Sequence, residues 1–154
     1  MNDLLRHTLA TVAYRAGKAL RHAPPEFASF RLDASSRTPV EILAHMGDLF
    51  DWALSIAEGR ERWHNSPPLA WDREVARFFA TLEAFDARVA EPRPLSVAAE
   101  KLFQGPIADA LTHIGQLAMM RRVAGCRIPG ENYFVAAIAT GRVGQDQAGP
   151  VKEF

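Results

Sequence analysis

Two side chains that could hold a metal ion lie four residues apart in a mostly apolar stretch near residue 110. They are Asp109 and His113, a carboxylate and an imidazole. Four residues of α-helix rise about 6 Å and complete slightly more than one turn, so both side chains project from the same face. The pair could therefore reach one ion together. The alternative is a plain ion pair between Asp109 and a protonated His113.

A third candidate ligand, His45, lies in another apolar segment. Its apolar neighbours follow the 3,4,3,4 spacing of a buried bundle helix, at Ile42, Leu49, Trp52 and Ile56. If the helix with His45 packs against the helix with Asp109 and His113, the three side chains could converge on one ion. A hydrogen-bonded core histidine is the alternative explanation for His45, and the residue pattern leaves both explanations open.

Two imidazoles and one carboxylate form the ligand set of an open, catalytic metal site, because they leave at least one coordination position free. Zinc suits these ligands best on availability, while nickel, iron and manganese remain alternatives. Such an ion lowers the pKa of a bound water or thiol toward neutrality and so makes a nucleophile. We therefore predict one divalent ion on His45, Asp109 and His113.

The sequence offers few other reactive groups. Cys126 follows a predicted helix C-terminus, where the helix dipole disfavours a thiolate, so we do not expect it to act as a nucleophile. Asp48, one turn after His45, is predicted to be solvated, with a hydrogen bond to an imidazole as the alternative. Trp52, Tyr133 and Phe134 are candidates for pocket walls, with core packing the favoured role for Trp52.

Helical periodicity and capping signals predict the elements that position these groups. Thr38-Pro39-Val40-Glu41 is the best helix start, because it offers an N-cap hydroxyl, a proline at the first helical position and a glutamate for a capping box. Gly59 and Gly125 are expected to follow helix C-termini. Long helices are predicted over residues 3–22, 38–59, 71–90 and 106–124, with a short helical piece over 96–103 and an interruption at 104–106. An all-α four-helix bundle with short extra helical pieces follows.

The apolar spacing also predicts which side chains face the core of the bundle. In the third long helix, the polar residues Glu74, Arg77, Thr81 and Arg88 are expected to point away from the apolar seam. Phe27, Phe30 and Leu32 are expected to tether the loop after the first helix to the bundle. Tyr133 and Phe134 are expected to pack back onto it from the tail.

Length and charge restrict the class of protein. A chain of 154 residues is predicted to form one domain over residues 1–154, and its 18 basic and 18 acidic side chains give zero net charge. Zero net charge argues against nucleic acid as a partner. With a single cysteine, no signal-like start and no apolar run of about 18 residues, we expect a soluble, cytoplasmic protein with no membrane partner.

The order of these motifs resembles the DinB/YfiT-like superfamily. The resemblance is carried by His45 in the second helix, by Asp109-x-x-x-His113-Ile-Gly-Gln116, and by the tail segments Gly130-Glu-Asn-Tyr-Phe134 and Gly141-Arg-Val-Gly-Gln-Asp-Gln147. It covers nearly the whole chain. Many members have His in place of Asp109 and Arg in place of Ile114. A carboxylate at the first of these positions is similar to the mycothiol-dependent maleylpyruvate isomerase branch.

The resemblance implies a bundle with up-down-down-up connections that is often dimeric. It implies one divalent ion on His45, Asp109 and His113, and transfer, isomerisation or hydrolysis of a small molecule with a low-molecular-weight thiol or water as nucleophile. The sequence thus predicts a homodimeric metal-dependent enzyme acting on a small-molecule substrate. The alternative is a non-catalytic homodimeric bundle, related to stress or ligand binding, with a vestigial metal site.

Overall fold

The computed structural model describes residues 2–154, and its regular elements are helical. Five α-helices and three short helical turns are present: α1 (Asp3–Leu20), a 3-10 turn (Pro25–Ser29), α2 (Pro39–Ala57), α3 (Trp71–Ala90), α4 (Ala99–Leu102), a π-helical turn (Phe103–Ile107), α5 (Ala108–Val123) and a second 3-10 turn (Tyr133–Val135). The predicted all-α class is confirmed. The predicted helix boundaries are correct to within about two residues for the first three long helices.

Helix α2 begins and ends at the predicted signals. The hydroxyl of Thr38 accepts a hydrogen bond from the backbone N–H of Glu41, whose carboxylate accepts one from the backbone N–H of Thr38. This capping box satisfies two amide groups that the first turn of a helix leaves without partners. Gly59 has φ +78°, the left-handed conformation that ends a helix, and Gly125 at the end of α5 has φ +79°.

The four long helices run up, down, down and up, as expected. Helices α2 and α3 are parallel, because Ala44 near the start of α2 is joined to Arg77 and Ala57 at its end is joined to Arg88. Helix α1 is antiparallel to α3, as the ion pair between Arg6 and Asp86 shows. Helix α5 is parallel to α1, because Arg121 near the end of α5 bonds the carbonyl group of Ala19 near the end of α1, and α5 is therefore antiparallel to α2.

One buried apolar cluster draws side chains from all four long helices. Phe78, Leu82, Phe85 and Val89 supply the predicted seam of α3. The prediction that the polar residues of α3 point away from the core was wrong for Glu74 and Arg88, which are 0% and 4% exposed. Glu74 pairs with Arg77, and Arg88 donates hydrogen bonds to the carbonyl groups of Ala57 and Pro94. The carboxylate of Glu74 and the two terminal nitrogens of Arg88 therefore have partners inside the bundle, while Nε of Arg88 is buried with no hydrogen-bond partner among residues 2–154.

The loop between α1 and α2 is tethered by two of its three predicted anchors. Phe27 is buried and makes an edge contact with Trp71, and Phe30 packs against the core. The prediction for Leu32 was wrong, because this side chain is 52% exposed. Leu32 instead lines a surface cavity beside α5.

The predicted interruption at residues 104–106 is also incorrect. Helix α4 continues into α5 through the π-helical turn Phe103–Ile107, which contains Pro106. A proline has no N–H and collides with the carbonyl of an ordinary helix turn, but a wider π turn can accommodate both effects. The helix therefore continues through Pro106 and arrives at Asp109 without a break.

The tail is held against α1 by a buried polar group. The carboxylate of Glu131 accepts hydrogen bonds from the hydroxyl of Tyr14 (2.5 Å) and the ammonium of Lys18 (2.7 Å). Burial and this hydrogen bond raise the pKa of Tyr14 to about 12, which keeps the phenol protonated as a donor. Tyr133 makes an edge contact with the ring of Tyr14, as expected for a packed residue.

The tail prediction was wrong for Phe134, which is 96% exposed. None of the helices formed by residues 2–154 is both long enough and apolar enough to cross a lipid bilayer.

Candidate metal centre

The antiparallel contact between α2 and α5 brings together the three predicted ligands. Nε2 of His45 lies 3.3 Å from Oδ2 of Asp109, and Nε2 of His113 lies 3.4 Å from Oδ1 of the same carboxylate. The two imidazole rings meet edge to face, with centroids 4.9 Å apart. His45 and His113 are far apart in sequence, so only the packing of the two helices creates this group.

The spacing of these donor atoms suits a single divalent ion. Zinc bonds to imidazole nitrogen and carboxylate oxygen are about 2.0–2.2 Å long, so two ligands of one tetrahedral ion lie about 3.4 Å apart. The two measured nitrogen–oxygen distances match that value. All three residues offer a donor atom within 4.8 Å of the others. The donor set and its spacing therefore fit the ion predicted from the sequence.

A hydrogen bond selects the tautomer of His113. Its Nδ1 lies 2.7 Å from the amide oxygen Oε1 of Gln116, one turn later on α5. The amide oxygen can only accept, so the ring proton is held on Nδ1 and the lone pair is left on Nε2, which faces Asp109. Partners of this kind orient metal-binding histidines in known sites.

His45 is kept neutral by its surroundings. Its side chain is 19% exposed, and burial lowers its pKa below the ordinary value. The hydrogen bond to Asp109 acts in the opposite direction, while the nearby positive charge of Arg37 lowers the pKa further. A neutral imidazole is the form that binds metal ions. His45 is thus in the ligating state at neutral pH.

The carboxylate of Asp109 forms the open side of the cluster. Its side chain is 46% exposed, against 12% for His113. It lines a surface cavity of about 440 Å³ together with Trp52, Gly105 and Thr112. Water or a small ligand can therefore approach from this side, as an open metal site requires.

Trp63 and Trp52 form the wall beside His45. The Trp63 ring makes edge contacts with His45 (centroids 5.6 Å apart) and with Trp52 (5.8 Å). Trp63 was not among the candidate walls, whereas Trp52 was a candidate for which core packing was favoured, and Trp52 also packs against the core. The other predicted walls do not reach it: Tyr133 contacts Tyr14 and Arg15 on α1, and the exposed Phe134 belongs to the same tail segment.

The segment that carries Trp63 connects α2 to α3 and lies back along α2. From Arg62 onward its contacts with α2 follow in antiparallel order: Arg62 bonds Ser55, His64 lies 3.4 Å from Asp51, and Ser66 bonds Asp48. Parallel helices require such a return, because the chain must travel the length of the bundle between them. Because the connecting segment must run back along α2, its residues must pass His45. This requirement is the signal by which Trp63 could have been assigned to the site.

Asp48 anchors this segment instead of being solvated. Its side chain is 3% exposed and accepts hydrogen bonds from the backbone and hydroxyl of Ser66 and from the guanidinium of Arg77. The nearest imidazole is that of His64, whose Nδ1 lies 3.6 Å away. Both explanations offered by the sequence for Asp48 were therefore wrong.

Asp48, Asp51 and His64 form a second group with metal-like spacing. The guanidinium of Arg77 already supplies its positive charge, 3.0 Å from Asp48 and 3.8 Å from Asp51. An added cation would be repelled by that guanidinium. We therefore describe this group as an ion-pair network.

Cys126 lies outside the site. It is half-buried after the end of α5, and its carbonyl oxygen accepts a hydrogen bond from Arg121, whose guanidinium also bonds the carbonyl groups of Ala19 and Arg21. Arg121 thus joins the ends of α1 and α5.

In the comparisons with known proteins, no protein-family model matches this chain, and neither a curated protein nor a solved structure matches it significantly.

Proposed function

We propose that this protein is a metal-dependent enzyme in which His45, Asp109 and His113 hold one divalent ion, with zinc the expected metal. The observation that carries the proposal is the convergence of two imidazoles and one carboxylate from two helices at nitrogen–oxygen distances of 3.3 and 3.4 Å. The sequence motifs that resemble the DinB/YfiT-like superfamily support the same site.

An ion held there lowers the pKa of a water or small thiol and supplies a nucleophile for transfer, isomerisation or hydrolysis of a small molecule. Other side chains of the protein orient and shield the candidate ligands. Gln116 holds the proton of His113 on Nδ1, and burial keeps His45 neutral. Trp63 and Trp52 shield His45 from water on one side, while the exposed edge of Asp109 leaves the other side open.

Metal analysis of protein purified without an affinity tag or chelator tests this proposal. We expect about one ion per chain in the wild type and none after His113→Ala. His7→Ala is the matched control, because His7 is an exposed histidine on α1 and should keep the full metal content. Full occupancy in the double variant His45→Ala/His113→Ala would show that the ion binds elsewhere.

One observation favours the second candidate, a non-catalytic bundle with a vestigial site. Asp109 lies 3.3 and 3.4 Å from the two imidazoles, so a proton on each facing ring nitrogen would pair the three side chains in place of an ion. Thermal unfolding separates the two candidates, because an ion that binds only the native state raises the melting temperature with its concentration. A melting temperature unchanged by zinc, nickel, iron and manganese would leave the non-catalytic bundle as the better description.

A further inference from the structure

A second surface cavity, of about 550 Å³, lies on the other side of His113 from the Asp109 opening. It is formed between the loop before α2 and the exposed face of α5. Its walls are largely apolar, supplied by Leu32, Ile42, Met119 and Met120. His113 and Gln116 line its edge, so this cavity leads directly to the candidate metal centre. A small molecule with an apolar body fits such walls.

Arg37 is the one cationic side chain that lines this cavity in the described chain. Its side chain is exposed, and no ion pair or hydrogen bond joins its guanidinium to any residue from 2 to 154. The nearby carboxylate of Glu41 is engaged by the backbone and hydroxyl of Thr38. Arg37 therefore offers free donors to a ligand.

Arg37 lies at the N-terminus of α2. It directly precedes Thr38, the N-cap of α2. A helix N-terminus carries a partial positive charge, and acidic residues are the ones that stabilise it. Arg37 and the helix end place positive charge at the edge of the cavity, and the charge of Arg37 also acts on the carboxylate of Glu41.

We propose that the cavity binds the substrate of this site and that the substrate is a small carboxylate with an apolar body. The carboxylate binds the Arg37 guanidinium through paired hydrogen bonds. The apolar body lies against Ile42, Met119 and Met120, and its far end reaches His113. A monoanionic carboxylate matches one guanidinium, whereas a phosphate dianion would need further donors. The description of this ligand as a substrate rests on the proposed metalloenzyme function.

Binding of hexanoate, followed by amide chemical-shift changes in metal-free protein, tests the assignment. Metal-free protein is used so that the carboxylate cannot bind an ion directly. We expect shifts centred on Gly115 and Met119, and affinity roughly tenfold weaker in Arg37→Gln. Arg73→Gln, which removes an exposed arginine on α3 outside the cavity, should bind hexanoate as the wild type does. The uncharged 1-hexanol should bind equally weakly to the wild type and to Arg37→Gln.

The length of the ligand tests the apolar wall. Each additional buried CH₂ from butanoate to hexanoate should tighten binding up to about fourfold. Affinity that does not increase with chain length, or that is equal in the wild type and Arg37→Gln, would overturn the assignment.

Zinc affinity is measured in parallel to separate the two proposals. We expect equal zinc affinity in the wild type and Arg37→Gln, because Arg37 is not a ligand. Zinc binding without Arg37-dependent hexanoate binding would overturn the carboxylate assignment alone. Arg37-dependent hexanoate binding in a protein that binds no divalent ion would support the carboxylate site and overturn the proposed metal chemistry.

Discussion

At the scale of single residues, the hydrogen bond from His113 to Gln116 decides which nitrogen faces the candidate metal centre. The amide oxygen of Gln116 lies 2.7 Å from Nδ1, so the lone pair of Nε2 faces Asp109. Without this partner, the ring could exchange tautomers or rotate. The proposed site therefore depends on a residue that is not itself a ligand.

Replacing Gln116 tests this dependence. Gln116→Leu removes the acceptor, and we expect zinc affinity to fall about 10- to 100-fold, measured by competition with a chromogenic chelator. Gln116→Glu is the matched control, because a carboxylate also accepts from Nδ1 and should retain the affinity. Wild-type affinity in Gln116→Leu would show that the hydrogen bond does not orient His113.

Asp51 makes a second prediction at this scale, and it concerns pH. Burial raises the pKa of Asp51, and the charge of Arg77 opposes that effect only in part. A carboxyl group whose folded pKa exceeds its unfolded pKa favours folding while it is protonated and loses that contribution as pH rises through the folded pKa. We therefore expect Asp51→Asn to be more stable than the wild type at pH 7, with a smaller difference at pH 4.

Urea unfolding at the two pH values measures this difference. Glu83→Gln is the control, because this exposed carboxylate on α3 should give a stability difference that changes less with pH. A destabilised Asp51→Asn at pH 7 would mean that its contacts with His64 and Arg77 outweigh the cost of burial.

At the scale of elements, the parallel direction of α2 and α3 accounts for the position of Trp63. The 19 residues of α2 span about 28 Å, and the chain must return that distance before α3 begins. Residues 58–70 can cover about 43 Å when extended, so they reach across α2 with length to spare. Their return path lies over His45, and this places the ring of Trp63 beside the candidate metal centre.

Asp48 holds this return segment to the bundle, which gives a third prediction. Asp48→Ala removes the acceptor for Ser66 and leaves the guanidinium of Arg77 with the carboxylate of Glu74 and the carbonyl group of Ala44 as close partners. We expect a loss of about 3 kcal/mol in the free energy of unfolding, measured in urea.

The matched control is Asp51→Ala, which removes a carboxylate that is 40% exposed. We expect that change to alter the free energy of unfolding by less than about 1 kcal/mol, because it removes exposed ion pairs and also relieves the partial burial of a charge. Equal losses in the two variants would show that the buried contacts of Asp48 do not anchor the segment.

At the scale of the whole molecule, the tail is joined to the bundle by buried charge. Lys18 and Glu131 are 6% and 0% exposed and lie 2.7 Å apart, with Glu153 as a second partner of Lys18. This contact links residues more than 100 positions apart. The final segment is therefore part of the folded structure.

Breaking this pair should be costly. Lys18→Met leaves the carboxylate of Glu131 buried without a cation, and we expect a loss of about 3–5 kcal/mol in the free energy of unfolding. The double variant Lys18→Met/Glu131→Gln should recover part of that loss, because no uncompensated charge remains. Urea unfolding of the single and double variants measures both values, and strictly additive losses would contradict a direct coupling.

The sequence by itself determined the elements and the identity of the candidate ligands. Capping signals such as Thr38 with Glu41, and apolar spacing of three and four residues, act over single turns, so they can be read locally. The pairing of Asp109 with His113 is equally local, since one helical turn brings them to one face. The helix interruption predicted at Pro106 was wrong because this proline lies inside a π-helical turn, which lets the helix continue where an ordinary turn would not.

Only the tertiary structure decided which distant groups meet. The approach of His45 to Asp109, the wall of Trp63, the burial of Asp48 and the exposure of Leu32 and Phe134 depend on contacts between elements far apart in the chain. The burial of Glu74 and Arg88 follows from partners on other segments, which make their polar ends compatible with the interior. Sequence periodicity indicates the average polarity of a helix face. Whether an individual polar side chain is buried or exposed depends on the hydrogen-bonding and ionic partners that folding brings close to it.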